Sequence, residues 1–117
     1  MPELPEAETI KKGISRQVLG RKILKVISRH PRGVRRQPLA AFRKNLLDRK
    51  IMALDRRGKV ILFYLSGRLT LVARLGMSGG LRVVPTGTQL PYARVSLVLD
   101  QGHELALEDP RTFGEMY

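Results

Sequence analysis

KIMALDRRGKVILFYLSGRLTLVARL, residues 50–75, is the stretch whose reading decides the fold. Its hydrophobic period is that of strands, and it breaks twice, at Arg56-Arg57-Gly58-Lys59 and at Ser66-Gly67. Three strands follow, over 50–56, 59–65 and 69–75. The same period continues over 80–84, 93–99 and 103–108, with turns at Gly79-Gly80, Pro85 to Pro91, and Asp100-Gln101-Gly102. Short strands at this spacing predict a sandwich or a barrel.

Helices belong to the first part of the chain. Ile10, Ile14 and Val18 recur at i, i+4, i+8, and Gly20 is a natural stop, which predicts a helix over 3–19. Its early carboxylates (Glu3, Glu6, Glu8) and later cations (Lys11, Lys12, Arg16) suit the macrodipole. A strand is expected over 22–29 and a basic loop over 30–38. A short helix over 39–47 would place Leu39, Phe42, Leu46 and Leu47 on one side. The chain stops at Phe113-Gly114-Glu115-Met116-Tyr117 in strand-like sequence, which predicts a fragment of a longer protein.

Composition narrows the function. The 117 residues fit one domain and one modest core. No apolar run approaches the length of a membrane span, and the first 25 residues lack the apolar stretch of a signal peptide. There is no cysteine, so no disulfide or thiolate zinc site forms within the chain, and a reducing cytosol suits it. Two histidines, His30 and His103, are too few for a metal cluster. The net charge is +12, and it is lopsided: residues 11–59 hold 17 of the 22 Lys and Arg against two acids, Asp48 and Asp55. Such a basic field meets phosphate, with nucleic acid as the first expected partner. Membrane binding would need a basic amphipathic helix with a bulky apolar face, and 11–19 lacks aromatic anchors.

Four segments could carry chemistry, and each also has a plain structural reading. Pro2-Glu3 would supply a secondary-amine nucleophile and a proton carrier once Met1 is removed. The same pair suits the first turn of a helix. In Arg56-Arg57-Gly58-Lys59 the lysine could reach a phosphate or assist proton transfer, or the segment could be a solvated hairpin turn. In Leu75-Gly76-Met77-Ser78-Gly79-Gly80, Met77 could enter a base stack or fold into the core. In Asp109-Pro110-Arg111-Thr112-Phe113-Gly114, the guanidinium could read a base edge while the ring stacks, or Phe113 could be core and Arg111 solvated.

The order of these segments is more telling than any one of them. PELPEAET at 2–9, RRGK at 56–59, LGMSGGLR at 75–82 and DPRTFG at 109–114 together resemble the N-terminal domain of the formamidopyrimidine glycosylase/endonuclease VIII family, in its formamidopyrimidine branch. The resemblance covers essentially all of residues 1–117. It implies a mainly β fold with α elements: a two-layered β-sandwich with flanking helices, the first carrying the N-terminus.

It implies base-excision repair of duplex DNA, removing oxidised purines (8-oxoguanine and formamidopyrimidines) and cleaving the strand at the abasic site. Pro2 matches the nucleophile, Glu3 the proton shuttle and Lys59 the lysine beside the damaged nucleotide. Met77, Arg111 and Phe113 match the trio that fills the gap left by the everted nucleotide. Arg56, Arg57 and Tyr92 are the further DNA-contacting candidates. No cofactor is implied within this chain. Zinc belongs to a C-terminal part which, with a helix–two-turn–helix domain, lies outside it. A monomer in the bacterial cytoplasm, associated with the nucleoid, completes the expectation.

Three positions depart from the family pattern. Thr112 stands where a second Arg is usual, Arg74 where a His commonly precedes LGMSG, and Tyr92-Ala93-Arg94 where a His-Asp-His group is frequent. A non-catalytic DNA-binding relative is the rival these departures raise. An RNA-binding β-domain rests on charge alone, since the six aromatics form no stacking stripe.

Overall fold

The computed structural model describes residues 4–29, 33–34, 37–75, 80–109 and 115–117. Helix α1 spans Leu4–Val18. Ile14 and Val18 are buried and Ile10 packs partly against the core, as the helical spacing predicts. Gly20 ends the helix with a φ of +79°, in the left-handed region that favours glycine. Strand β1 (Ile23–Ser28) leads towards α2 (Leu39–Leu46). Helix α2 starts on Pro38 and buries Phe42 and Leu46. Leu47 differs from its expected place and is 42% exposed. The helix ends at Leu46, and the extended backbone of Leu47 turns its side chain away from the buried stripe.

Seven strands follow α2. They are β2 (Ile51–Arg57), β3 (Val60–Leu65), β4 (Leu69–Arg74), β5 (Gly80–Pro85), β6 (Ala93–Leu99), β7 (His103–Glu108) and β8 (Glu115–Met116). With β1 they form two four-stranded antiparallel sheets, ordered β1-β6-β7-β5 and β2-β3-β4-β8. The fold is therefore the expected mainly β two-layered sandwich with an N-terminal helix.

Alternation builds the core. Ile61, Phe63 and Leu65 of β3 are buried while the residues between them are half-exposed. Leu71 and Ala73 of β4 face the same interior. From the other sheet Val95, Leu97, Leu99, Leu105 and Leu107 meet them. Each large apolar side chain so buried contributes about 1.5–3 kcal/mol. Helix α1 packs on β2, β3 and β5, and its end is held by the Gly20 N–H donating to the Ile51 carbonyl at 2.8 Å.

The first sheet is also covered on the face away from the core. Ser96 and Glu104, which alternate with core residues, are 0% and 2% exposed. Arg29 covers them: its Nε donates to Ser96 Oγ at 3.0 Å, and its Nη2 lies 3.4 Å from Glu104 Oε2. Glu104 Oε1 accepts the Gly87 N–H at 2.9 Å, which fastens the 86–92 loop onto the sheet.

The expected 30–38 loop is more than a connection. Val34 forms a parallel bridge with Met116, and the Gly33 carbonyl accepts the Met116 N–H at 2.8 Å. Pairing between residues so far apart leaves no local period to read.

Candidate nucleic-acid interface

The chain crosses between the two sheets through α2, from β1 to β2, and by shorter connections at residues 75–80, from β4 to β5, and at 109–115, from β7 to β8. Register places both shorter crossings at one end of the sandwich. Arg74 pairs with Val60 on one side and Glu115 on the other. The Leu75 N–H donates to the Lys59 carbonyl at 3.3 Å. On the opposite sheet, Glu108 pairs with both Gly80 and Ala93, and the Asp109 N–H donates to the Tyr92 carbonyl at 3.0 Å. The 56–59 turn, the ends of both shorter crossings, and Tyr92 thus share one end.

The hairpin turn is held by its own polar groups. Gly58 adopts φ +62°. Arg56 donates its backbone N–H to Asp55 Oδ1 at 2.7 Å and its Nη1 to the Gly58 carbonyl at 3.3 Å. Arg57 is the open cation of the turn, with a side chain 74% exposed and its Nε 3.9 Å from Asp55 Oδ2. An exposed pair at that distance contributes about 0–1 kcal/mol and leaves the guanidinium available. Lys59 is half-buried and Arg74 is exposed. Tyr92 is 51% exposed, an aromatic ring presented at the same end.

Of the candidate residues, Arg56, Arg57, Lys59 and Tyr92 are therefore placed together. Pro2, Glu3, Met77, Arg111 and Phe113 lie outside the described residues, as does Thr112. The described flanks of two of these segments, Leu75 with Gly80 and Asp109 with Glu115, converge on the end that carries Lys59. Sequence reasoning treated Arg94 only as a departure from a pattern, yet its Nε donates to the Asp109 carbonyl at 2.7 Å. Its position two residues after an aromatic, as the one charged residue in the apolar 93–99 strand, was the available signal. Among the described residues no three His, Cys, Asp or Glu side chains gather as a metal site. No described helix is long and apolar enough to cross a membrane.

Two antiparallel sheets whose shorter crossings meet beside a basic hairpin turn define a class of β-sandwich domain that presents its loops at one edge. The model of the formamidopyrimidine-DNA glycosylase N-terminal domain family matches residues 1–116, and the chain belongs to that family. It is 44% identical to the formamidopyrimidine-DNA glycosylase of Thermus thermophilus, covering 100% of this chain and 40% of that protein. The same enzyme of Mycobacterium avium is 44% identical over 97% of this chain and 41% of its own length. The chain thus spans about two fifths of the curated relatives it matches.

Solved structures agree in fold. A Lactococcus lactis FPG mutant in complex with Fapy-dG-containing DNA superposes with a TM-score of 0.89 at 27% identity, over 99% of this chain and 43% of that one. The Lactococcus lactis Fpg complex with abasic-site DNA gives 0.88 at 26%, over 98% and 43%.

Proposed function

We propose that this chain is the catalytic domain of a base-excision glycosylase and AP lyase acting on oxidised purines in duplex DNA. The single observation that carries the reading is the convergence of the 56–59 turn, the β4–β5 and β7–β8 crossings and Tyr92 on one end of a basic sandwich. Family membership and relatives solved with damaged DNA support it.

The chemistry follows from the residue types. After removal of Met1, Pro2 presents a secondary amine. Its lone pair attacks C1′ of the damaged nucleotide, the C1′–N bond breaks, and the base leaves with the proton the amine gives up. The sugar ring opens to an iminium on Pro2, and Glu3 carries the proton to the opening ring oxygen. Elimination then loses the C2′ proton to water as the C3′–O bond breaks and the 3′-phosphate leaves, and Lys59 assists there as a cation beside the phosphate. A base must leave the stack before C1′ is reachable, so Met77, Arg111 and Phe113 fill the hole, Arg111 facing the orphaned cytosine and Phe113 wedging the stack. Arg56, Arg57 and Tyr92 hold the DNA backbone. We place the protein as a monomer on nucleoid DNA in a bacterial cytoplasm, with no cofactor in this domain.

Borohydride trapping on an 8-oxoguanine or abasic duplex tests this in the natural full-length polypeptide with Met1 removed. A covalent adduct is expected, and Pro2→Gly should reduce it to background because it replaces the secondary amine. Absence of an adduct in the unsubstituted protein would sink the assignment. A second reading, a DNA-binding relative without catalysis, is motivated by Thr112, Arg74 and Tyr92 at positions where the family pattern differs. Salt-dependent DNA binding with no trapping would favour it.

A further inference from the structure

Five large hydrophobic side chains stand exposed among the described residues, and four of them lie together. Tyr92 is at the basic end described above. Leu19, Leu24, Leu47 and Met52 are at the opposite end, 42%, 49%, 42% and 59% exposed. Single exposed apolar side chains are ordinary, whereas a gathered group marks an interaction surface. The backbone gathers these four. The Gly20 N–H donates to the Ile51 carbonyl and the Asp48 N–H to the Ile23 carbonyl, each at 2.8 Å. Leu19 and Met52 therefore flank one bond, and Leu24 and Leu47 the other.

Two β-bulges turn half of the group outwards. Ile23 pairs with Leu99 and Lys25 with Val98, so Leu24 is the extra residue of β1. Ile51 pairs with Leu65 and Ala53 with Tyr64, so Met52 is the extra residue of β2. Bulges re-aim the side chains they carry. Here the two residues after each buried isoleucine are both exposed, where regular alternation would bury one.

Two cations stand between the apolar pairs. Lys22 and Lys50 form an antiparallel bridge, with the Ile23 N–H donating to the Arg49 carbonyl and the Ile51 N–H to the Arg21 carbonyl, each at 2.9 Å. That makes them a non-hydrogen-bonded pair, the arrangement that brings side chains closest. Both are exposed, and among the described residues no ion pair engages either. Like charges directly opposite each other weaken a sheet. Residues 19–25 and 44–52 hold six Lys and Arg against one acid, Asp48.

We infer that this seam docks an extended acidic segment of a partner protein, with apolar side chains on either side of a carboxylate. Residues two apart in a strand share a face at a spacing of about 6.6 Å. Met52 with Lys50, and Lys22 with Leu24, have that spacing, so the seam runs apolar, basic, apolar. A partner with apolar, acidic and apolar residues at every second position matches it in charge and in step, and its carboxylate relieves the repulsion of the lysine pair. A second copy of this chain does not fit, because a two-fold contact would set these lysines against themselves. Duplex DNA would leave the four apolar side chains against a charged backbone.

Fluorescence anisotropy of a labelled synthetic peptide, Leu-Ser-Asp-Ser-Leu flanked by aspartates, tests this with the natural full-length polypeptide. Saturable binding is expected, and it should persist when an abasic duplex is bound. Lys22→Gln combined with Lys50→Gln should weaken it roughly ten-fold or more, and so should Leu24→Ser combined with Met52→Ser. A permuted peptide with its two leucines adjacent should bind several-fold more weakly. Excision of 8-oxoguanine should not change in either variant. If the apolar variant does not fold, the lysine variant and the permuted peptide decide the matter. No binding by the unsubstituted protein would overturn the inference, as would equal binding of the permuted peptide or displacement by undamaged duplex. Unchanged binding in the lysine variant, or lost excision, would overturn it as well.

Discussion

The two ends of the sandwich are built on different logic. At one end, hairpin turns close locally. Residues 66–68 join β3 to β4, and 100–102 join β6 to β7. Arg49 lies under the first turn, donating its Nη1 to the Ser66 carbonyl at 3.3 Å and its Nε to the Asn45 carbonyl at 3.1 Å. Lys22 and Lys50 bridge the two sheets beside it. At the other end the chain crosses twice between sheets and gathers Arg56, Arg57, Lys59, Arg74 and Tyr92 around the crossings. At the first end the Arg49 guanidinium is taken up by backbone carbonyls, whereas the second end turns Arg57, Arg74 and the Tyr92 ring outwards. Stability should therefore concentrate at the first end and DNA-directed function at the second.

Substitutions can break that contrast, and the largest effect is expected at the functional end. Lys59→Ala should lower trapping and strand cleavage roughly a hundred-fold. Its melting temperature should change little, in line with a stability effect within about 0.5 kcal/mol. A large loss of stability in that variant would erase the distinction between the ends. Glu104→Gln, on the covered face of the first sheet, should destabilise the fold by about 1–3 kcal/mol in urea denaturation, because the carboxylate holds both Arg29 and the Gly87 N–H. Excision per folded molecule should not change.

A subtler test is Gly67→Ala. Gly67 adopts φ +80° against the Arg49 guanidinium, and an L-residue there should cost about 1–2 kcal/mol with catalysis preserved. The smallest effect belongs to Arg57→Ala. Its fold should be untouched, while the dependence of log affinity on log salt should lose a slope of about 1, the signature of one phosphate contact. An unchanged slope would remove Arg57 from the interface.

The same contrast explains what could be read from residues alone. Strand alternation in 59–65 and the Ile10-Ile14-Val18 stripe reported elements correctly to within a residue or two, because burial acts on local period. Sheet order was not legible: β1 pairs with β6, some seventy residues later, and no short pattern encodes that partner. Val34 looked like loop because its bridge to Met116 spans most of the chain. Leu47 looked buried because one residue of helix was assumed beyond its end. At the site, the basic turn and Tyr92 were visible as residue types, and their meeting at one end came only with register. Arg94 was visible only as an irregular letter, since its bond reaches a carbonyl fifteen residues away.

The central claim is that this basic end works on DNA through the amine of Pro2. Peptide mass spectrometry of the borohydride-reduced complex with an abasic duplex tests it most directly. The reduced sugar remnant is expected on the peptide that begins with Pro2, with Met1 absent. A remnant on a lysine such as Lys59, or tight DNA binding with no covalent product, would contradict it.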